Sequence, residues 1–550
     1  LAIIGRLFVL QVWNREYYST LAENKHVLKK ELLPERGRIF FQNDKKTGEL
    51  APLALNKDTF IVAADPKIIA NPNQAAYILA KKLDLDEMQV AAKIKNSASR
   101  YEIIKKQVDS AAVEELKLEK MIGIFFERQP ARFYPEKEMA SQVVGFSGLS
   151  DEGKPVGHYG LEGYFNDVLS GKPGYMLGER DATGGWLPLA GREIEEAING
   201  ADLVLTMDKT IEYIACQKLK EGVAEYKAKG GTVIILNPKT GAILAMCDAP
   251  GFDPNSYQKT KNIRAFNNSA IFTPYEPGSV FKAFTMAGAL DAGAVTPDTT
   301  YFDKGFIQLG SQIIKNAANK SYGNQTMTGV LKESINTGAY FAARALGHKD
   351  FRKYVQDFGF GVVAGVELDT EVSGNISSLA KEKEIYLATA SFGHGITATP
   401  LQLVSAFGAI ANQGKLYKPY IVAEIRRPDN TIERRAPQLV RQIISARAAR
   451  LLGGMLTTVV REGHGQKAGV SGYYIGGKTG TAQIAGPNGE YVASATNQTF
   501  IGFGPVDDPA FVMLVKYEEP QRVYAEYTAV PTFGEIAKFL LRYLEVPPNK

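Results

Sequence analysis

The stretch YYIGGKTGTAQIA, residues 473–485, decides how this chain is read. It carries Lys478-Thr479-Gly480 inside a run of aromatic, β-branched and small residues, and it reads as a strand rather than as a tip between strands. The same tripeptide occurs twice more. Lys46-Thr47-Gly48 sits in QNDKKTGEL, a polar turn with Asn43 and Asp44 between the strand-like runs RGRIFF and DTFIVAAD. Lys239-Thr240-Gly241 joins GGTVIILN to GAILAMCD and has the chemistry of a hairpin turn. The third copy alone places a cation and a closely approachable backbone within a strand, where both can face a ligand.

A lysine that is desolvated, or that sits beside a second cation, loses its proton more readily and can act as a base. A serine one helical turn away is then activable. Three Ser-x-x-Lys strings exist. Ser256 to Lys259 lies in the polar loop DPNSYQKTKN, and Ser378 to Lys381 lies in the loop NISSLAKEKE. Ser279 to Lys282 opens EPGSVFKAFTMAGALDAG, where Pro277-Gly278 precedes the serine and a strongly apolar helix follows. Ser279 is thereby placed at a helix N-terminus, where free N–H groups favour developing negative charge, and Lys282 points along the same face into an apolar wall. A plain serine N-cap accounts for this string equally well when it is taken alone. Ser-x-Asn occurs at Ser373-Gly374-Asn375, which reads as a turn, and at Ser334-Ile335-Asn336 in VLKESINTGAYFAARAL, entering a helix. The Ser334 hydroxyl can relay a proton and the Asn336 amide can hold a carbonyl or amide. An N-cap explains that serine equally well too.

Size and composition set the frame. The chain has 550 residues, 45% hydrophobic and 22% charged, which suits two to four globular domains. A net charge of +5 is small for this length and gives no footprint of nucleic-acid binding. The five histidines are scattered without metal-ligand spacing, so neither a zinc site nor a histidine base is expected. Cys216 and Cys247 exclude a disulfide scaffold by number; two unpaired, buried thiols are expected, with a single bridge as the alternative. LAIIGRLFVLQVW, residues 1–13, reads as the end of a transmembrane anchor, with an amphipathic core helix as the alternative. The polar run NREYYSTLAENKHVLKKELL reads as its helical continuation up to Pro34. From Pro66 to about Phe126 the spacing is helical, and a Gly- and Pro-rich segment follows. From about residue 199 strands and helices alternate without a repeating βα unit. The expected fold class is α+β, with an antiparallel sheet covered by helices.

The order SxxK, SxN, KTG, each in the setting its role needs, resembles the motif set of the penicillin-reactive serine acyltransferases. Further runs extend the likeness over nearly the whole chain: ERGRIFF (35–41), YGLEGYFNDVLSGKPG (159–174), LTMDKTIE (205–212), ILNPKTGAILAM (235–246), FGHGITATPLQL (392–403) and KTGTAQ (478–483). The chain resembles the class B penicillin-binding proteins, monofunctional D,D-transpeptidases of bacterial wall synthesis. SINTG, EYVASATNQTFIGFGP and PTFGEIAKFLLRYLEV lean toward the division-type subgroup, with the elongation type as runner-up. The resemblance implies three parts: an anchor end at 1–20, a non-catalytic elongated pedestal at 21–198 with a helical head insertion at about 66–126, and a transpeptidase domain at 199–550. It implies Ser279, Lys282, Ser334 and Lys478 as catalytic residues, and Asn336, Thr479, Gly480 and Thr481 as substrate-binding ones. It further implies a D-Ala-D-Ala stem peptide as substrate, β-lactams as ligands, no metal or cofactor, and an extracytoplasmic catalytic domain on a single-pass anchor. Expected partners are a membrane glycan polymerase of the SEDS type, the lipid-linked precursor polymer and other division proteins. A D,D-carboxypeptidase or β-lactam sensor, and a non-catalytic scaffold, are the alternatives.

Overall fold

The computed structural model describes residues 27–42, 48–96, 98–151, 154–179, 193–485 and 491–550, together with Arg6. The anchor reading of residues 1–20, the tripeptide's first two residues at 46–47 and the loop DATGGWLP lie outside the described residues. Among the described residues no helix is long and apolar enough to cross a membrane.

The N-terminal half is built on strands. Val27–Leu32 is a strand paired antiparallel with Gly174–Glu179, which corrects the helical reading of that end of the polar run. Strand pairing with residues some 150 positions away is not visible in local spacing and overrides helix propensity. Ile39–Gln42 and the long strand Leu50–Ala64 pair antiparallel, and the latter also pairs with Glu102–Asp109 and Ile124–Phe133. Pro72–Leu83, Glu87–Ile94 and Ser110–Leu118 are helices as expected. The strand Glu102–Asp109 lies among them, so the head at 66–126 is mixed rather than helical. The head has its own small core, including Val62, Leu79, Ile104 and Val113.

Glu162 anchors this half. Its fully buried carboxylate accepts from Arg36 Nε at 2.7 Å, Arg132 Nε at 2.6 Å and Tyr134 Oη at 3.1 Å. Burial pushes this carboxyl's pKa up, but the Arg132 and Arg36 guanidiniums outweigh that and hold it below the usual range. Arg36 and Glu162 come from ERGRIFF and YGLEGYF, so two of the runs that carry the resemblance meet in one buried ion cluster.

The C-terminal half is a five-stranded antiparallel sheet between helices. Its strands are β1 (Gly230–Leu236), β2 (Ile243–Ala249), β3 (Gly476–Ala485), β4 (Tyr491–Gly504) and β5 (Phe511–Glu518), in the order β2-β1-β5-β4-β3. The β1–β2 turn holds Lys239-Thr240-Gly241, with Gly241 at φ +80°, so the second tripeptide is the expected turn. Helices α1 (Lys209–Glu225) and α6 (Ala529–Tyr543) cover one face. Helices α2 (Lys282–Asp291), α4 (Pro400–Ala411) and α5 (Ala446–Glu462) cover the other, with α3 (Asn336–Leu346) packed against α2. The strand Asp202–Asp208 pairs with Ile39–Gln42 on one side and Val422–Arg426 on the other, so the two halves share a sheet.

Cys216 and Cys247 are bonded, S–S 2.00 Å, which overturns the expectation of two free thiols. The pair tethers α1 to β2 across 31 positions; their proximity follows from helix-on-sheet packing, which Cys spacing does not report.

Candidate active site

The segment before α2 creates the first part of the site. Gly278–Phe281 forms a 3-10 turn that runs into α2, with Gly278 at φ +56°, a backbone region where glycine is favoured. Ser279 lies in this turn, half-buried, and Lys282 is the first residue of α2, 1% exposed. The second part comes from a break in GVLKESINTGAYFAARAL, which is not one helix. Met327–Lys332 ends, Ser334 adopts φ +58°, and α3 begins at Asn336. That break points Ser334 at the lysine. The third part is β3, the edge of its sheet, which brings Lys478 to the same place, fully buried.

The three segments converge. Lys282 Nζ lies 3.0 Å from Ser279 Oγ, 2.5 Å from the Ser334 carbonyl oxygen and 3.2 Å from Ser334 Oγ. Lys478 Nζ lies 3.0 Å from Ser334 Oγ, 3.1 Å from the Thr479 carbonyl and 3.3 Å from Thr479 Oγ1. The Ser334 hydroxyl therefore sits between two amines. Burial, and then the nearby Lys478 charge, push the Lys282 pKa well below its ordinary value. Burial alone brings Lys478 down to about 7. A carbonyl can only accept, so one Lys282 N–H is committed to Ser334 O. A neutral amine has two N–H groups and one lone pair. With the N–H groups on Ser334 O and Oγ, the lone pair faces the Ser279 hydroxyl.

The remaining candidates occupy different positions. Asn336 Nδ2 donates to the Lys315 carbonyl at 2.9 Å. Alternation along β3 puts Lys478 and Gly480 toward α2 and starts Thr479 and Thr481 on the opposite side, although the Thr479 hydroxyl still meets Lys478 Nζ at the sheet edge. Thr481 Oγ1 accepts from Ala525 N at 3.3 Å. Gly480 has a reason that the sequence did not give. A Cβ there would lie 2.7 Å from Val280 Cγ2 and 2.9 Å from the Pro277 carbonyl oxygen. The glycine lets β3 lie directly against the Gly278–Phe281 turn, so packing requires it. The other two Ser-x-x-Lys strings make different contacts. Ser256 lies in the 3-10 segment Pro254–Lys259, and Ser378 Oγ donates to the Gly395 carbonyl at 2.8 Å.

Sequence reading missed Tyr275, Glu276 and His394. Glu276 Oε1 accepts from Gly395 N at 2.9 Å, and His394 Nδ1 lies 3.9 Å from Glu276 Oε2. Burial, and behind it the charge of Lys282, lower the His394 pKa, with Glu276 opposing. The signal was present in FGHGITATPLQL, but nothing local says that this run returns to the turn before Ser279. It does so through Gly278 N, which donates to the Gly393 carbonyl at 3.1 Å.

One antiparallel sheet, covered by helices on both faces and carrying a Ser-Lys-Ser-Lys cluster, has the make-up of a serine acyltransferase. Residues 231–538 match the family described as the penicillin binding protein transpeptidase domain, and residues 31–205 match the penicillin-binding protein dimerisation domain. The chain belongs to the penicillin-binding proteins of the class B, two-domain kind. It is 32% identical to Stage V sporulation protein D of Bacillus subtilis, covering 100% of this chain and 84% of that protein. It is 28% identical to peptidoglycan D,D-transpeptidase FtsI of Escherichia coli K12, covering 100% and 90%. Penicillin binding protein 3 of Mycobacterium tuberculosis, solved in complex with aztreonam, is 25% identical with a TM-score of 0.73, covering 95% and 98%.

Proposed function

We propose that this protein is a peptidoglycan D,D-transpeptidase that works through an acyl-enzyme on Ser279 and is a target of β-lactams. The observation that carries the reading is the unbroken run of contacts from Ser279 Oγ through Lys282 Nζ and Ser334 Oγ to Lys478 Nζ, each step 3.0–3.2 Å. Relatives named D,D-transpeptidases and β-lactam complexes of structural neighbours support the same reaction.

Neutral Lys282 takes the Ser279 proton as the oxygen attacks the carbonyl of the penultimate D-Ala. The Ser279–acyl bond forms, and the carbon–nitrogen bond to the terminal D-Ala breaks. The leaving amine receives its proton through Ser334, with Lys478 behind it. The tetrahedral oxyanion is held by the backbone N–H groups of Ser279 and Thr481. Thr479 and Thr481 bind the terminal carboxylate, aided by the Lys478 charge, while Asn336 holds the donor peptide's amide. An amine from a neighbouring strand then takes the acyl group and releases Ser279. Because β3 is the edge of the sheet among the described residues, its outer backbone groups offer an extended peptide a strand to pair with.

The division at residue 199, the pedestal as a partner-binding support, a septal role, a membrane anchor with an extracytoplasmic catalytic half, and pairing with a membrane glycan polymerase belong to the same proposal. Sequence likeness to FtsI favours the septal role; the similar likeness to a sporulation protein favours a specialised wall-building stage as the second reading.

The test is mass spectrometry of the purified protein after fluorescent penicillin. The adduct is expected on Ser279, lost in Ser279→Ala and retained in Ser256→Ala and Ser378→Ala. An adduct elsewhere, or labelling of the Ser279→Ala protein, would sink the assignment.

A further inference from the structure

A polar row crosses the whole sheet beneath the nucleophile turn. Gly480 on β3 is the register partner of Thr499 on β4, Thr499 of Lys516 on β5, Lys516 of Thr232 on β1, and Thr232 of Asp248 on β2. Period-two alternation puts all five on the face toward α2. Thr499, Lys516 and Thr232 are each at most 1% exposed, and Asp248 is 8% exposed. A buried ammonium in the middle of a sheet is costly unless its partners are fixed, so its placement calls for a reason.

Those partners are fixed. Lys516 Nζ donates to Glu518 Oε1 at 2.7 Å and lies 4.5 Å from the centroid of the Tyr275 ring. The Tyr275 hydroxyl and Thr499 Oγ1 are 2.9 Å apart, which closes a loop from cation to ring to hydroxyl to the neighbouring strand. Beyond Lys516, Thr232 Oγ1 donates to Asp248 Oδ1 at 2.6 Å, and Asp248 Oδ2 accepts from Ser269 N at 2.7 Å. Tyr275 is held on its backbone as well, exchanging both hydrogen bonds with Ala398 at 3.0 Å. It stands four residues before Ser279, and its phenol grips the strand residue paired with Gly480.

We propose that Lys516 is a positioning residue for acylation. Its ammonium clamps the Tyr275 ring, and Tyr275 sets the Ser279 turn on one side and the Gly480–Thr481 backbone on the other. A face-on cation is a directional restraint on a ring that a packed aliphatic side chain would not supply. The two elements so aligned are the nucleophile and, on the proposed mechanism, one donor of the oxyanion hole. Lys516 touches neither substrate nor reacting atoms in this account, and the inference rests on the reading of Ser279 as the nucleophile.

The experiment separates the acylation rate constant from the pre-covalent dissociation constant, using fluorescent penicillin in stopped flow on the full chain. Melting curves are recorded for every variant. Lys516→Met is expected to lower the rate constant about tenfold or more, to leave the dissociation constant within about twofold and to melt well above the assay temperature. Glu518 is partly exposed and can rehydrate, while Asp248 keeps Thr232 and Ser269 and takes up a proton more readily once the Lys516 charge is gone. In a Tyr275→Leu background the same change is expected to have no further effect on the rate constant. Tyr275→Phe, which keeps the ring under the cation and loses only the bond to Thr499, is expected to lower the rate constant severalfold with little change in melting. It serves as the deciding variant if Lys516→Met does not fold. A wild-type rate constant in Lys516→Met or in Tyr275→Phe overturns the proposal, as does a full additional loss in the Tyr275→Leu background. A wild-type adduct mapped away from Ser279 would instead overturn the parent reading, and the two failures are distinguishable.

Discussion

Gly480→Ala is the sharpest perturbation of the site. The added methyl would lie 2.7 Å from Val280 Cγ2 and 2.9 Å from the Pro277 carbonyl oxygen, where ordinary contact begins at 3.4 Å. The two elements must open by 0.7 Å at the first contact and 0.5 Å at the second. A valine methyl can give a little, but a backbone carbonyl cannot rotate away. Neither side is free to retreat. β3 is tied to β4 through the Gly480–Thr499 pairing, and the turn is tied through Gly278 N to the Gly393 carbonyl. Overpacking of this kind costs about 1–3 kcal/mol of stability. A displacement approaching 1 Å between a nucleophile and its catalytic partners costs roughly a hundredfold in rate, equivalent to ~2.7 kcal/mol of barrier. The assay is the acylation rate constant with a fluorescent penicillin, measured beside thermal melting. The control is Gly454→Ala on α5, where a Cβ meets nothing within 4 Å. There the change is expected to leave acylation untouched and, by helix propensity, to stabilise by up to ~1 kcal/mol. If Gly480→Ala acylates within about threefold of wild type at unchanged melting temperature, the steric argument and the geometry behind it are wrong.

On the proposed mechanism acylation requires neutral Lys282, so the rate should climb with pH through that group's lowered pKa and then level off, far below the pH at which an ordinary lysine loses its proton. Lys478→Met removes the like charge and should move that acid limb to higher pH, besides slowing the reaction; a limb that stays put or moves down would refute the repulsion. Glu162→Gln leaves the Arg36 and Arg132 guanidiniums buried beside a neutral amide and should cost about 3–5 kcal/mol in urea unfolding. Because the Glu162 pKa in the fold lies below its reference value of 4.5, its contribution is complete above that pH and fades as pH falls through the folded value. The wild-type advantage over the glutamine variant should therefore shrink in acid, and a difference that is flat with pH would contradict the ion cluster.

What was legible in the sequence is what repeats locally. SxxK at 279–282 could be read because a Pro-Gly turn, a serine and an apolar helix form one contiguous signal, and the β1–β2 hairpin could be read because turn residues separate two β-rich runs. Strand β3 likewise followed from its run of aromatic, β-branched and small residues. Local pattern failed where a distant partner decided the outcome. Val27–Leu32 became a strand because Gly174–Glu179 was there to pair with it, and Glu102–Asp109 became one because Leu50–Ala64 offered an edge. Ser334 does stand at the entry to a helix, but its positive φ, which aims it at Lys282, has no local signature.

By itself, then, the order of residues nominated side chains for the proposed chemistry: one serine hydroxyl, two amines and a relaying hydroxyl. Tertiary structure alone decided that they meet, that Cys216 joins Cys247, and that Gly480 is needed as a contact surface. It alone decided that a lysine at 516 lies under the ring at 275. The physical reason is that pKa values and close approach depend on burial and on distances set by long-range sheet register, which no local window of sequence contains.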